Sequence, residues 1–433
     1  MSQSGARPDH RLADRRHPDR RLPDHRLDAE HLELGGGLEV LLAAALERVP
    51  PGGVLEVRTP SRAVALELPG WARLAGHEVV GEAPAADGTV VQVRRGRTAR
   101  VLAAPLPRRG EPPPLRGGGE LHTADWRGGG PPAAADPAAG FAPLGALPEA
   151  RTSAYSWRLS DPDEVWADDV GELVEQASAQ QWDASREIPW SAARELDDTT
   201  ERAVAQVMTF LAQNEYAALY VPARFLPEVN PQLAELVLWL SSHVHDEARH
   251  IEVFTKRALA GGWRGYALAS TELSLSTLLD ERDFTNASLL LNVLGEGTFL
   301  DLLRFIELHA PDPATAAAAR LAHRDERRHV HFGVSHIRRA IASQPDIEPL
   351  LVGAVEARAA KLASLSGLSP LVIESLTVMS SRSLVPAELA DAAAEVRSLM
   401  ATMQRNRVRR LTACGFSRRT ARYLSDLHSP NLM

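Results

Sequence analysis

Two five-residue motifs combine a carboxylate and an imidazole at a spacing that suits metal binding. DEARH spans residues 246–250, and DERRH spans residues 325–329. In each motif the glutamate and the histidine are three residues apart, so a helix presents both side chains on one face. A single Glu-x-x-His pair is weak, because about one match is expected by chance in a chain of this length. The repetition of the longer pattern is a much stronger signal.

A further glutamate lies in an apolar stretch upstream of each motif. Glu215 lies within FLAQNEYAALY, and Glu296 lies within LLNVLGEGTFLDLL. Each precedes its motif glutamate by nearly the same interval, which predicts two helical hairpins of equal design. Six side chains would then meet in the middle of one four-helix bundle. The predicted ligands are Glu215, Glu247, His250, Glu296, Glu326 and His329.

The residue types explain what such a cluster would bind. Four carboxylates in a dry core cost several kcal/mol each through desolvation and mutual repulsion, and two divalent cations would remove that cost. Carboxylates can bridge two ions, while each imidazole adds a neutral nitrogen ligand. Cys414 is the single cysteine of the chain, which excludes cysteine-based zinc sites and iron–sulfur clusters. The alternative is that the motifs form two solvated, charged helix faces.

The second half of the chain reads as helical from about residue 151, without a strand pattern. Proline and glycine breakers separate the segments, and Pro231 and Pro313 each follow a residue suited to a helix N-cap. We predict an all-α domain over 151–433, with a four-helix core over 191–342 and extra C-terminal helices. The predicted helices span 191–221, 231–260, 284–309, 313–342, 347–365, 369–381, 386–413 and 416–427.

The first 150 residues divide into three segments of different composition. Residues 1–27 contain an imperfect repeat of charged residues and proline, which predicts a disordered tail. Residues 28–97 alternate between helical and strand patterns and predict a small α/β domain. Residues 98–150 are rich in Gly, Pro and Ala and predict a semi-stiff linker.

The α/β segment resembles TusA-type sulfurtransferase domains. The resemblance rests on LDAEHLELGGGLEVLLAAAL, on a Pro-Gly turn, and on a Pro-x-Trp stretch followed by Gly-His-Glu. These last residues are Pro69, Trp71, Gly76, His77 and Glu78. The resemblance implies a βαβαββ fold.

The catalytic chemistry of that family does not carry over to this chain. Leu34 and Gly35 occupy the places where the family has its catalytic cysteine and the following proline. Sulfur relay needs a thiolate nucleophile, so we expect an accessory or partner-docking role for this domain.

The helical half resembles the oxygen-activating branch of the ferritin-like superfamily over roughly 191–342. This branch includes the multicomponent monooxygenase hydroxylases and the small subunits of ribonucleotide reductase. The resemblance implies that Asp246 and Asp325 each hydrogen-bond a ligand histidine. Arg249 and Arg328 occupy the same place in both motifs, so they could pair with these aspartates, line the outer shell or lie on the surface. Phe254 stands where the reductases carry a radical-forming tyrosine, so we expect no stored tyrosyl radical there.

Three further residues are candidates for roles beside the metals. His243 lies one turn before Glu247 and is an extra ligand, a pocket base or an ordinary buried histidine. Asn292 lies one turn before Glu296 and could hydrogen-bond a ligand or substrate. Phe254 would form part of an apolar wall or of the plain core. Gly295 and Gly297 flank Glu296 and predict close packing or a local widening of the helix.

We therefore predict an oxidoreductase that uses two iron ions, or a manganese–iron pair, with dioxygen to oxidise or hydroxylate a small organic substrate. Electrons must come from a separate reductase or ferredoxin, because the chain has no dinucleotide-binding fingerprint. A ferroxidase or other metal-binding ferritin-like protein is one alternative, and an inert helical bundle is another.

Composition narrows the partners and the compartment. The net charge of −8 argues against nucleic-acid binding, and no apolar stretch is long enough for a membrane span. A single cysteine fits a reducing cytoplasm. The oligomeric state stays open, with a homodimer among the alternatives.

Overall fold

The computed structural model divides the chain into two compact units, residues 1–110 and 111–433. Residues 1–24 of the predicted tail lie outside the described residues, whereas residues 25–27 belong to the first strand. Of the predicted linker, residues 98–111, 128–130, 138–139 and 147–150 also lie outside the described residues. The structure describes residues 25–96, 112–127, 131–137, 140–146, 155–194, 196–365 and 368–428.

The first unit is a small α/β fold with the expected βαβαββ order of elements. Its sheet has the strand order β1-β2-β4-β3, in which β1 and β2 are parallel and the other neighbours are antiparallel. The elements are β1 (His25–Asp28), α1 (Leu38–Glu47), β2 (Val54–Thr59), α2 (Arg62–Leu74), β3 (Glu78–Ala85) and β4 (Gly88–Arg94).

Local sequence explains the boundaries of helix α2. Ser61 caps its N-terminus by accepting a hydrogen bond from the backbone N–H of Val64. Gly76, with a φ of 80°, follows its C-terminus. The alternating residues Leu55 and Val57 of β2 point into the core beneath both helices. One side of the sheet therefore carries the apolar core of this unit.

The second unit is helical, and its order confirms a bundle with additional C-terminal helices. A π-helical segment, Leu289–Glu296, joins two of the helices into one continuous rod. The helices are α3 (Val170–Ala179), α4 (Asp198–Phe225), α5 (Ala234–Ala260), α6 (Ala269–Leu279), α7 (Phe284–Ser288), α8 (Gly297–His309), α9 (Pro313–Ser343), α10 (Ile347–Lys361), α11 (Pro370–Ser380), α12 (Pro386–Ala413) and α13 (Arg418–His428).

Two helical hairpins form the core of this unit. Helix α4 packs along α5, the rod of α7, the π-helical segment and α8 packs along α9, and α5 contacts α9 across the bundle. Helices α11 and α12 pack against the outside of the bundle through α4 and α8. The chain order of the four long rods is the one that the motif spacing predicts.

Two predicted helix starts were placed too early. Helix α4 begins at 198 rather than 191, because the Asp197 side chain accepts hydrogen bonds from the N–H groups of Thr199 and Thr200. Helix α5 begins at 234, so Pro231 lies in the turn before the helix rather than in its first turn. Pro313 does occupy the first turn of α9, where Asp312 is the N-cap.

Part of the proline-rich segment lies on the helical unit. Thr123 donates hydrogen bonds to Glu175 of α3 through its backbone and its hydroxyl. Arg127 makes a bidentate ion pair with the buried Glu235 of α5 at 2.7 Å for each bond. Neither these contacts nor helices α3 and α6 were predicted from the sequence.

Among the described residues, none of the helices combines the length and the apolar character needed to cross a membrane.

Candidate metal centre

The structure brings the six predicted ligands together in the interior of the bundle. Helix α4 supplies Glu215, α5 supplies the first motif, the π-helical segment supplies Glu296, and α9 supplies the second motif. All six side chains are at most 2% exposed. They form two groups with His243, and one candidate ligand atom from each member of a group lies within 4.8 Å of the others. The groups are Glu215, Glu247, His250 and Glu326, and His243, Glu247, Glu296 and His329.

The two motif histidines point the same nitrogen toward the carboxylates. Nδ1 of His250 lies 3.3 Å from Glu247 and 3.3 Å from Glu326. Nδ1 of His329 lies 2.9 Å from Glu247 and 3.4 Å from Glu326. The two motif glutamates therefore lie between the two imidazoles, where each could bridge a pair of ions.

The other nitrogen of each imidazole meets an aspartate from the opposite motif. Nε2 of His329 hydrogen-bonds Asp246 at 3.3 Å, and Nε2 of His250 lies 3.4 Å from Asp325. The resemblance implied that these aspartates contact ligand histidines, and the structure adds that the pairing crosses between α5 and α9. A carboxylate on the outer nitrogen fixes which nitrogen faces the centre.

Arg249 and Arg328 close this outer layer into a ring. Arg328 donates to Asp246 and to Asp325 at 2.8 Å each. Arg249 donates to Asp325 at 2.9 Å and also to Asp246. Both arginines and both aspartates are buried, so the four charges neutralise one another within the protein.

Three residues that were not predicted from the sequence to lie near the centre also contact this ring. The indole N–H of Trp182 donates to Asp325 at 2.6 Å. Gln180 accepts from Arg328 at 2.8 Å, and Gln181 accepts from Arg249. These residues directly follow α3 and lie far from both motifs in sequence. Only their aromatic and amide character could have marked them, and that signal is weak without the fold.

The π-helical segment holds Glu296 through a short hydrogen-bonded chain. Ser288 donates to the side-chain oxygen of Asn292 at 2.9 Å, and the Asn292 amide donates to Glu296 Oε2 at 2.8 Å. The other carboxylate oxygen, Oε1, lies 3.1 Å from Nε2 of His243. The predicted widening of the helix is present as the π-helical segment immediately before Gly297. Of the two partners predicted for Asn292, a ligand or the substrate, the structure shows a predicted ligand, Glu296.

Other candidate residues are divided between the interior and the surface. Phe254 is fully buried, with its ring centre 6.3 Å from that of His250. Tyr216 and Tyr220, on either side of Glu215 in sequence, are about half exposed, and their ring centres lie 6.0 Å apart with the planes tilted by 35°. His245 is exposed, and His331 is exposed and pairs with Asp169. His323 is half-buried.

Burial raises the pKa values of two of the four carboxyl groups. Desolvation, followed by the charges of Glu247 and Glu326, raises the pKa of Glu215 well above its ordinary value. Desolvation also raises the pKa of Glu296, with Glu326 adding to it and His243 opposing it. In the metal-free chain these two carboxyl groups therefore hold a proton more strongly than an exposed glutamate does, and metal binding competes with that proton.

Glu247 and the two motif histidines favour one another's charged forms. Burial opposes ionisation of Glu247, but the neighbouring imidazoles of His250, His243 and His329 hold its pKa well below the ordinary value. Burial also opposes the charged form of His250 and His329, yet the surrounding carboxylates raise both pKa values well above the ordinary one.

Unpaired polar atoms show that the residues fit a pair of metal ions. These buried atoms lack a hydrogen-bond partner, and each buried polar atom left unpaired costs about 1–3 kcal/mol. Coordination would satisfy the atoms that face the centre, and the donor set of carboxylates and imidazoles suits iron or manganese. The atoms that face the centre are Glu215 Oε1, both carboxylate oxygens of Glu247 and of Glu326, His250 Nδ1 and His329 Nδ1.

Comparison with protein-family models and with curated proteins finds no match for this chain. Among solved structures, an R2-like ligand-binding oxidase with an aerobically reconstituted Mn/Fe cofactor is 16% identical, with a TM-score of 0.39 over 62% of this chain and 95% of that chain. A point mutant of an R2-like ligand-binding oxidase, also with an Mn/Fe cofactor, is 15% identical, with a TM-score of 0.39 over 59% and 89%.

The similarity to these structures is weak, so the description of the site rests on this chain's own residues. Four long helical rods that each direct carboxylates inward, two of them with Glu-x-x-His, are the ferritin-like arrangement, and the predicted fold class is confirmed. None of the comparisons supports the resemblance of the first unit to TusA-type sulfurtransferases, which stays a prediction.

Proposed function

We propose that this protein is a dioxygen-dependent oxidoreductase that holds two metal ions, iron at both positions or manganese and iron, and oxidises a small organic substrate. The observation that carries the proposal is the buried cluster of four carboxylates and two imidazoles with unpaired atoms facing one another. Glu215, Glu247, His250, Glu296, Glu326 and His329 would hold the ions. A redox-active pair, when bound, supplies the electrons that reduce dioxygen.

The chain's own residues would fix the ligands and keep water out. The ring of Asp246, Asp325, Arg249 and Arg328 holds both imidazoles in one orientation. Trp182 and Phe254 cover the side next to His250. A dry, rigid surround strengthens electrostatic interactions at the centre and limits side reactions.

The proposed substrate and electron donor follow from the chemistry of a dimetal centre and not from a binding site for either. A centre of this type consumes electrons from outside, and the chain has no dinucleotide fingerprint. We therefore include a separate reductase or ferredoxin in the proposal, with the first unit as its docking domain.

Metal counting followed by oxygen exposure tests the proposal. The chain is stripped with a chelator, loaded with ferrous iron without oxygen and desalted, and two irons per chain are expected. Oxygen should then give the Mössbauer spectrum of a coupled di-ferric pair. Absence of bound iron would support an inert bundle, whereas many ferric ions per chain would support iron storage.

The variant Glu296→Ala tests the assignment at one residue. Removing this carboxylate leaves one position with fewer ligands, so oxygen consumption should fall at least 100-fold while the circular dichroism spectrum keeps its helical signal. The exposed Glu252→Ala on α5 is the matched control, since its partner is the surface residue Lys256. Full oxygen consumption by Glu296→Ala would refute the assignment.

A further inference from the structure

His243 occupies a place in the centre that the predicted six-ligand set leaves unexplained. It lies one turn before Glu247 on α5 and is 2% exposed. Its Nε2 atom lies 3.1 Å from Glu296 Oε1 and 3.5 Å from Glu247 Oε1, so it faces carboxylates from two different rods. Within the proposed dimetal function, we infer that His243 is a seventh protein ligand, bound through Nε2 at the position shared with Glu296 and His329.

The surrounding aromatic residues hold the His243 ring in this orientation. The ring stacks on His329 with centroids 3.8 Å apart and planes inclined by 15°. Trp239, one turn earlier on α5, packs 6.1 Å from the His243 ring and 6.0 Å from the His329 ring. Side chains locked by packing provide the fixed geometry that a metal ligand requires.

A hydrogen bond alone accounts poorly for what His243 faces. One Nε2–H group can donate to one carboxylate at full strength, yet oxygens of Glu247 and Glu296 both approach this nitrogen. Nδ1 of His329 also lies 2.9 Å from the same oxygen of Glu247. Two imidazole nitrogens and two carboxylate oxygens that converge in this way form the donor set of a cation.

The two metal positions are unequal as a consequence. The position of Glu296 has nitrogen donors from His243 and His329, whereas the position of Glu215 has one from His250. Helix α9 has Ala322 one turn before its motif glutamate, in the place that corresponds to His243 on α5. A nitrogen-richer site favours later divalent ions over manganese, so the two positions should load with different affinities.

Anaerobic titration with ferrous iron tests this inference with three variants. Wild type should bind two ions with unequal affinities, and His243→Ala should weaken one of them at least tenfold while leaving the other unchanged. His243→Gln keeps a hydrogen-bond donor near Glu296 but is a poor ligand, so it should show the same loss. The exposed His245→Ala on the same helix should bind iron as wild type does.

A measurement on the unmodified chain covers the case in which the variants misfold. In the mixed-valent di-iron form of a chain labelled with ¹⁵N-histidine, nitrogen hyperfine spectroscopy should count three coordinated imidazoles rather than two.

The possible outcomes separate the inference from the function on which it rests. Two bound irons with only two imidazoles, or wild-type affinities in His243→Gln, would overturn the seventh ligand and leave the dimetal function standing. A wild-type chain that binds no iron would overturn both.

Discussion

Glu247 belongs to both groups of ligands, whereas Glu215 belongs to one. Oxygens of Glu247 contact the motif histidines of both hairpins, at 3.3 Å for His250 and 2.9 Å for His329. At the scale of single residues, the six carboxylates and imidazoles are therefore not equivalent, and the effect of removing one depends on how many positions it serves.

This difference predicts unequal metal losses from two similar substitutions. Glu247→Ala should lose both ions, because each position loses a ligand and the bridge between them. Glu215→Ala should keep about one ion per chain, because the second group stays complete. Iron analysis after anaerobic loading and desalting measures both numbers, and two ions in Glu247→Ala would contradict the bridging role.

The sequence was sufficient to select the six side chains that the structure brings together in the bundle, because their types and spacing repeat. Asp246, Asp325, Arg249 and Arg328 could be selected for the same reason, since each lies within a motif. Trp182 could not, because its contact with Asp325 joins parts of the chain that no local periodicity connects. The crosswise pairing of aspartates and histidines also needs the bundle geometry.

At the level of whole elements, helix α9 packs closely against the π-helical segment. Gly333 lies against Asn292, and a Cβ atom built at Gly333 would lie 2.5 Å from Asn292 Cβ and 3.3 Å from Val293 Cγ2. Asn292 in turn holds Glu296. The distance between these two elements therefore determines the position of one predicted ligand.

Gly333→Ala should destabilise the helical unit by about 1–3 kcal/mol, since an added methyl group overpacks a filled interface. It should also slow the oxygen reaction by displacing Asn292. Gly353→Ala in α10 is the matched control, because its added Cβ meets no atom within 4 Å and alanine favours a helix by up to about 1 kcal/mol. Urea unfolding measures both, and equal effects would contradict the steric explanation.

His336 joins three elements through a neutral ring. Its Nδ1 donates to the carbonyl of Trp166 at 2.9 Å, and its Nε2 lies 3.1 Å from the hydroxyl of Thr285 in α7. Burial lowers the pKa of His336 to about 4. The unfolded chain takes up a proton below about pH 6.5, whereas the folded chain does so only near pH 4, so this contribution to stability falls as the pH falls through that window.

The contribution of His336 to the free energy of unfolding should fall by roughly 2 kcal/mol between pH 7 and pH 5, because each pH unit below 6.5 costs about 1.4 kcal/mol. His336→Gln removes the titrating ring, so its free energy of unfolding should fall less over this interval than that of wild type. Urea unfolding with a chelator present measures the difference without a contribution from bound metal. The exposed His245→Gln should keep the wild-type dependence, and the prediction is wrong if His336→Gln also keeps it.

The predicted helix boundaries agree with the structure where a strong local signal marks them. They differ where a capping side chain sets the helix start at a later residue than the apolar periodicity predicts. Pro313 after Asp312 marks the start of α9 correctly. The cap at Asp197 delays α4, because a side chain that satisfies the first N–H groups fixes the start more strongly than apolar periodicity does. Helix α6 lacks a strong apolar period and forms through contacts with α4. Helix α3 was missed although Val170, Leu173, Val174 and Ala177 give its buried face a helical period.

The whole molecule consists of two compact units, each with a hydrophobic core of its own. All six predicted ligands and the ring that orients them belong to the second unit. Metal binding and donor recognition can therefore reside in separate parts of the chain, and a truncation can separate them.

A chain without residues 1–110 should still bind two irons and react with oxygen when a chemical reductant supplies electrons. Its unfolding temperature should stay within a few degrees of that of the helical unit in the full chain. Turnover with the physiological donor should fall at least tenfold if the first unit docks that donor. Unchanged turnover in that assay would show that the first unit has another role.

The crosswise contacts between the two motifs have a consequence for the order of maturation. Asp246 of the first hairpin holds His329 of the second, and Asp325 of the second lies against His250 of the first. A growing polypeptide that has emerged only as far as α5 thus lacks the partner for its own imidazole. The proposed ions could be captured in the final geometry only after α9 has been synthesised and both hairpins have docked, which places cofactor insertion late in synthesis or after it.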